Sequence, residues 1–370
     1  MKTKFLFIIC CAVFFFLILF FPSASMEGAS KALSSWATVV LPSLMPFFIA
    51  ASLLVESGVV GLLAGLSGPV TRRLFGFSGY FSYVFLTSAI SGYPMGAKLA
   101  SGLYAQGKIG EKEAQALVNC SSMSGPLFLS GAVCIGMIGR AELAPYLLVP
   151  HYLSALLLAF AAGFPFRRKK DLPPAETPSQ ALETFLHKNP LAKKHIGNVL
   201  LDSVTSAISS MLTVGGFMLL YGVLINSLRS SGLFSLWENA PNPPLLTSLF
   251  SGMLEMTTGC LSTTPLSLSL RLVVLSGIIG FGGLSIHSQT HAIAAGNGLH
   301  LRHFFPYKCA QGALASLLTF AMLSAFQPDI SVSTMPSRVT SAYIGTAFLL
   351  FGFFAVLALK AFYAHRRTQK

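Results

Sequence analysis

Charge is what this sequence has least of. Of 370 residues only 10% are Asp, Glu, Lys or Arg, and just 12 are acidic. A soluble domain carries about a quarter charged residues, so this chain has too little polar material to coat a water-facing surface. Its composition, 53% hydrophobic with a mean hydropathy of +0.69, asks for a bilayer as solvent. Cysteine is scarce as well. Cys10, Cys11, Cys120, Cys134, Cys260 and Cys309 sit in or beside apolar stretches and make no CxxC pair, which argues against a disulfide framework or a zinc site and for small buried hydrophobes. No hydrolase triad, P-loop or paired-carboxylate pattern is present. The expectation is therefore not an enzyme, with no cofactor, and any transport would not be driven by ATP on this chain.

The shortage of acids leaves a formal net charge of +13. A nucleic-acid partner does not follow from it. The basic residues form short clusters such as Arg167, Arg168, Lys169 and Lys170 between apolar runs, with no nucleic-acid motif beside them. Lys and Arg flanking apolar spans mark cytoplasmic loops instead.

Ten apolar segments approach the spanning length of about 20 residues. They are Phe5–Met26, Trp36–Val55, Leu74–Ala97, Ala114–Gly139, Leu143–Phe166, Ser203–Leu228, about Leu245–Ser269, Leu272–Ile286, Cys309–Gln327 and Val339–Leu359. The first has a small-residue stretch at Ser23-Ala24-Ser25 that would suit a cleaved signal peptide, but its length favours a retained helix. Placing the N-terminus, Arg72 and Arg73, the basic loop 167–195 and the C-terminal Arg366 and Arg367 on the cytoplasmic side leaves three segments between successive anchors in each half, where an even number must cross. The expectation is an all-α polytopic membrane protein with about eight transmembrane helices plus two re-entrant or broken segments. Three crossings per half make the two halves an inverted repeat. Weak internal matches follow the same order. FFIAASLLVES from Phe47 aligns with FMLLYGVLINS from Phe217, Ser91-Gly92 with Ser251-Gly252, and Ser121–Gly125 with Gly280–Ser285. The expected divisions are an N-terminal transmembrane or signal-anchor helix over 1–30, repeats over 36–166 and 199–328, a basic cytoplasmic loop over 167–198, and a C-terminal helix and basic tail over 339–370.

Two segments are the candidates for chemistry in the first half. In Ser91-Gly92-Tyr93-Pro94-Met95-Gly96-Ala97-Lys98, Pro94 removes a backbone donor and two glycines expose backbone. A helix broken at membrane depth must be buried in protein or line a polar cavity, and its free N–H groups suit an anion; a packing kink with a small-xxx-small contact fits the pattern equally. The second is Asn119-Cys120-Ser121-Ser122-Met123-Ser124-Gly125-Pro126. Its crowded polar side chains are costly unless they meet one another, water or a ligand, although serine is often interhelical glue. Their counterparts are Ser251–Glu255 and Gly282–Gln289. Glu255, an acid in apolar surroundings, is a candidate for a coupling proton or cation, or for a structural pair with Lys98 or Lys308. Glu56, the other such acid, reads as a helix-end group. His287 and His291 share a helix face. With His300 and His303 they could suggest metal, but no Cys, Asp or Glu lies among them, so no metal is expected; anion binding or proton carriage is preferred to it, and a plain interfacial role is preferred for His300 and His303.

The Gly-Tyr-Pro-x-Gly-Ala-Lys segment, followed by Ser124-Gly125-Pro126-Leu127-Phe128, resembles the sporulation integral membrane proteins built from nucleoside-recognition (Gate) domains, of the YlbJ or SpoVV type, over about Trp36 to Leu359. The resemblance implies a role in endospore formation: movement of dipicolinic acid from mother cell toward forespore, across the outer forespore membrane. It also implies an elevator-like motion of broken-helix hairpins, as in concentrative nucleoside transporters. On this reading a small anionic substrate binds at Ser91, Gly92, Tyr93, Pro94, Gly96, Lys98, Asn119, Ser122, Ser124 and Gly125 from one repeat and Glu255, Gly282, Ser285, His287 and His291 from the other, with Lys98 offsetting its charge. The expected partners are that dipicolinate-like anion, the lipid bilayer, a possible coupling proton or cation and a possible second copy of the chain, with no nucleic acid. The alternatives are a nucleoside or other metabolite permease, and a non-transporting scaffold for spore morphogenesis.

Overall fold

The computed structural model describes residues 2–167 except 58, residues 182, 183 and 185, and residues 195–326. The expected C-terminal helix and nearly all of the basic loop lie outside the described residues. Every described element is helical. In chain order they are α1 (Lys2–Phe20), α2 (Pro22–Ser35), a short π-helix (Trp36–Val40), α3 (Leu41–Glu56), α4 (Val59–Phe75), α5 (Tyr80–Ser91), α6 (Met95–Ala105), α7 (Glu111–Ser121), a second π-helix (Phe128–Ile138) and α8 (Ala144–Arg167). The second half holds α9 (Ile196–Ser230), α10 (Pro243–Leu254), α11 (Met256–Ser262), α12 (Leu268–Phe281), α13 (Gly283–Gly296) and α14 (Phe304–Phe326). The chain is an all-α, polytopic membrane protein.

Among the described residues four helical stretches are long and apolar enough to cross a membrane, Ala141–Arg167, Ile196–Ser230, Leu268–Gly296 and Phe304–Phe326. Two bent pairs raise that to six if each counts once. The apolar run expected as one helix over Phe5–Met26 is the first of these pairs. The chain turns by 105° where Phe21 meets Pro22, because proline starts a new helix more readily than it continues one. The second pair, Gly65–Phe75 with Tyr80–Ser91, bends by 94°. Here Gly76 has a φ of +74°, and Glu113 at the start of α7 accepts the amide of Ser78 at 2.7 Å, holding the turn. Glu113 is a buried acid that the reading of apolar runs passed over, since it sits at the polar start of its helix.

Each half contains two interrupted helices, where the parity of charges asked for one broken segment. In the first half α5 and α6 are separated at 92–94, and α7 is separated from the second π-helix at 122–125. In the second half α10 and α11 are separated at Glu255, and α12 and α13 at Gly282. Counting crossings cannot detect a break that leaves the crossing intact. Long helices flank both sets in the same order, α3 and α8 in one half, α9 and α14 in the other. The pairs α3 with α9 and α8 with α14 pack together. Ser251-Gly252, matched to Ser91-Gly92, lies within α10 one turn before the break at Glu255.

The packing places the interruptions at the centre. The window of Leu268–Gly296, which contains the Gly282 break, is 89% buried, against 33–39% for the other three stretches. Around it the outward faces carry exposed Leu, Ile, Phe and Val on α1, α8 and α9, as lipid-facing helices should. α2 lies along α9 through small residues, with the Oγ of Ser25 and Ser227 3.0 Å apart and Asn226 Nδ2 donating to the Ala24 carbonyl at 2.7 Å. A Cβ on Gly28 would sit 2.6 Å from the Gly222 carbonyl oxygen. Gly28→Val should therefore cost about 1–3 kcal/mol through overpacking and lower the thermal midpoint of the purified protein. Gly216→Val, on the open side of α9, should leave that midpoint nearly unchanged.

Candidate functional site

The four interruptions converge. Gly92, with φ +80°, lies directly on the other break of its half: a Cβ there would be 2.8 Å from the amide nitrogen of Gly125. In the second half Gly282 and Gly283 are consecutive residues at φ +87° and +73°, a conformation that favours glycine. A Cβ on Gly283 would meet the Met256 amide nitrogen at 2.9 Å, so these two breaks also touch. The halves are joined by Tyr93, whose hydroxyl donates to the Ile279 carbonyl at 3.3 Å, near the end of α12.

A cavity opens where they meet. Tyr93, Ser124 and Gly125 line it from the first half and Glu255, Met256, Thr257, Ser285, Ile286 and Gln289 from the second; Val40, Leu44, Phe128, Val214 and Met218 form its apolar walls. Its volume is about 40 Å³, enough for a few waters and too small for an aromatic solute.

Each break leaves backbone groups that lipid cannot satisfy, and buried side chains meet them. Glu255 is the N-cap of α11. Its carboxylate accepts the amides of Thr257 and Thr258 at 2.9 and 2.7 Å and the Thr258 hydroxyl at 2.8 Å. Neither Lys98 nor Lys308 pairs with it. His151 on α8 accepts the Ser124 amide through Nε2 at 2.9 Å, and Tyr152 donates to the carbonyls of Ala89 and Ser124 at 2.9 and 3.0 Å. His287 Nε2 lies 2.9 Å from the Phe281 carbonyl, an orphan acceptor at the end of α12, with its ring among Phe281, Phe304 and Phe305. Ser88 donates to the Ser121 carbonyl, against which Gly96 packs.

Lys308 is the centre of this network. Wholly buried on α14, its Nζ donates to Gln311 Oε1 at 2.6 Å, the Ser122 carbonyl at 2.7 Å and the Tyr93 hydroxyl at 2.9 Å. One side chain thereby ties both breaks of the first half to a helix of the second. The sequence reading named Lys308 only as a possible partner for Glu255 and did not single out His151. The available signal was a lone lysine in the apolar run of α14, with Gln311 at i+3 on the same face.

The structure gathers Tyr93, Ser124, Gly125, Glu255 and Ser285 at the cavity, with Ser91, Gly92, Pro94, Ser122 and Gly282 forming the breaks behind it. It sets others apart. Lys98 is half-buried and donates to the hydroxyls of Ser206 and Ser210 on α9 at 2.5 and 3.1 Å, away from the cavity wall. His291 is exposed, and His287 is occupied at the end of α12. Asn119 is buried with its Oδ1 unpartnered, and so are the hydroxyls of Ser121, Ser251 and Thr290. Among the described residues no cluster of three His, Cys, Asp or Glu could hold a metal.

Comparison with known proteins follows the same outline. Residues 37–141 match the Gate family, described as nucleoside recognition. Over 323 residues the chain is 33% identical to the sporulation integral membrane protein YlbJ of Bacillus subtilis (strain 168), covering 82% of this chain and 78% of that protein. No solved structure matches.

If Glu255 acts as a cap, Glu255→Ala should lower stability by about 1–2 kcal/mol, while Glu255→Gln, which keeps an acceptor, should lose less. Thermal unfolding of the two purified variants checks this. Equal losses would refute the cap.

Proposed function

We propose a function from one premise: this chain belongs to the family of sporulation integral membrane proteins that includes YlbJ. On that premise it is a carrier, not an enzyme, that moves a small anionic solute across a membrane of the sporulating cell. Dipicolinate is the proposed solute and the outer forespore membrane the proposed location, with the N-terminus, loop 167–195 and C-terminus on the cytoplasmic side and the two halves inverted.

The observation that carries this reading is the convergence of four interrupted helices, two from each half, on a cavity among the described residues whose wall is mostly apolar but carries Tyr93, Ser124, Glu255, Thr257, Ser285 and Gln289. Irregular backbone within a bilayer is tolerated only where protein or a polar cavity surrounds it, and transporters use such broken helices to hold solutes near the midplane. The sign of charge supports an anion. Glu255 already fills the N-terminus of α11, whereas α13 begins at Gly282 with no side-chain cap and presents Ser285, Ile286 and Gln289 to the cavity. A helix N-terminus attracts negative charge. Lys308 stands behind Tyr93, with Nζ 5.1 Å from the ring centre, and adds positive potential. The unpartnered polar atoms of Asn119, Ser121, Ser251 and Thr290 are groups that water or a solute would complete as the helices part. The Gate description favours a second reading, nucleoside transport, which uses the same cavity.

Purified protein in lipid vesicles, offered labelled dipicolinate or nucleosides, separates the two. Saturable dipicolinate uptake is expected; uptake of nucleosides alone would replace the first reading with the second, and uptake of neither would remove the carrier. Gln289→Leu, which takes a buried amide from the cavity, should reduce uptake about 10-fold or more at equal protein level, the loss of one hydrogen bond to a charged group.

A further inference from the structure

Lys308 has a feature that helix pinning alone does not require: its surroundings are those of a monovalent cation. The ammonium is fully buried and, among the described residues, faces no carboxylate. Its three partners are neutral oxygens at 2.6–2.9 Å, one amide oxygen, one backbone carbonyl and one phenol. Two of the three come from interrupted segments. The Ser122 carbonyl lies at the end of α7, where the helix dipole is negative, and Tyr93 lies in the break between α5 and α6. Unwound carbonyls and half-helix C-termini are the groups with which carriers bind a coupling cation. Neutral oxygens suit a monovalent ion; a buried divalent ion calls for carboxylates. The Tyr93 hydroxyl passes the contact on to Ile279 of the other half, so whatever occupies this position holds the halves together.

We infer that the Lys308 ammonium is a built-in substitute for a coupling cation, held by the oxygens of Tyr93, Ser122 and Gln311 at the junction of the interrupted helices. The inference rests on the carrier reading and deepens it. Because the position is permanently filled by the chain, the carrier binds and moves its solute without Na⁺ or K⁺. Removing the side chain vacates an oxygen-lined space that a free monovalent cation then enters.

The test compares thermal midpoints of the full-length purified protein in NaCl, KCl and choline chloride at equal ionic strength. Wild type should give one midpoint in all three. Lys308→Ala should fall in choline and recover by about 2 °C or more, saturably, in Na⁺ or K⁺, as ligand binding to the folded state requires. Lys308→Met fills the space with an apolar chain and should fall without recovery. A saturable Na⁺ or K⁺ shift in wild type overturns the inference, as does a folded Lys308→Ala indifferent to cation. Should Lys308→Ala not fold in any salt, wild type decides alone: identical midpoints in the three salts uphold the substitution, and a cation-dependent shift sinks it. These midpoints involve no solute. Absence of dipicolinate and nucleoside uptake would therefore remove the carrier reading while leaving the cation result to stand by itself.

Discussion

A helix interrupted inside a bilayer frees backbone N–H and C=O groups where no water can reach them, each costing several kcal/mol if left alone. The core of this protein is organised around that constraint. The amides after Glu255 go to its own carboxylate, the Ser124 amide to His151, the carbonyls of Ala89 and Ser124 to Tyr152, that of Phe281 to His287 and that of Ser122 to Lys308. Glu255, His151, Tyr152, His287 and Lys308, polar residues that look anomalous in an apolar sequence, are each explained by a particular freed group. Many remaining serines and threonines need no partner outside their own helix. Ser101, Ser130, Ser210, Thr213 and Ser262 each donate to the carbonyl four residues earlier, which satisfies the hydroxyl at membrane depth.

This division of labour decides what sequence could reveal. The breaks at 92–94, 122–125 and Gly282 were legible because Gly and Pro mark them, and glycine is what their left-handed or closely packed backbone requires. The break at Glu255 carries no such mark. Leu254 and Met256 are ordinary helix formers, and only the carboxylate folding back onto the next two amides separates α10 from α11. Glu255 was noticed for its charge and read as a proton carrier or ion-pair partner, whereas its geometry is that of a cap. The side chains that satisfy the breaks were the least legible. Lys308 lies 186 residues from the Ser122 carbonyl it binds and His151 27 residues from Ser124; no periodicity connects them. Lys98 attracted attention by lying in the most distinctive motif, yet it reaches outward to α9. The polytopic, all-α character was legible because the scarcity of charge asks for a bilayer and the apolar residues fall in runs of spanning length.

The same network bears on motion. Within each half the breaks meet by close backbone approach, at Gly92–Gly125 and Gly283–Met256. Backbone packed on backbone through glycine has no side chains to interdigitate, so such surfaces can part without a rotamer change. Side chains instead join the breaks to long helices: Ser124 to α8 through His151 and Tyr152, and Ser122 to α14 through Lys308.

Charge placement points the same way. The two direct ion pairs described, Lys31 with Glu27 and Arg140 with Glu142, lie at the surface. Inside, Lys98, Arg271, Lys308, Glu113 and Glu255 are each held by neutral groups: serine hydroxyls, threonines, carbonyls, an amide side chain or backbone N–H. Pulling apart a buried ion pair strands two charges in a medium of low dielectric and is heavily penalised. A charge solvated by dipoles can exchange one neutral partner for another, or for water, at far smaller cost. A core whose charges are dipole-held therefore leaves no buried ion pair to be broken when its helices shift.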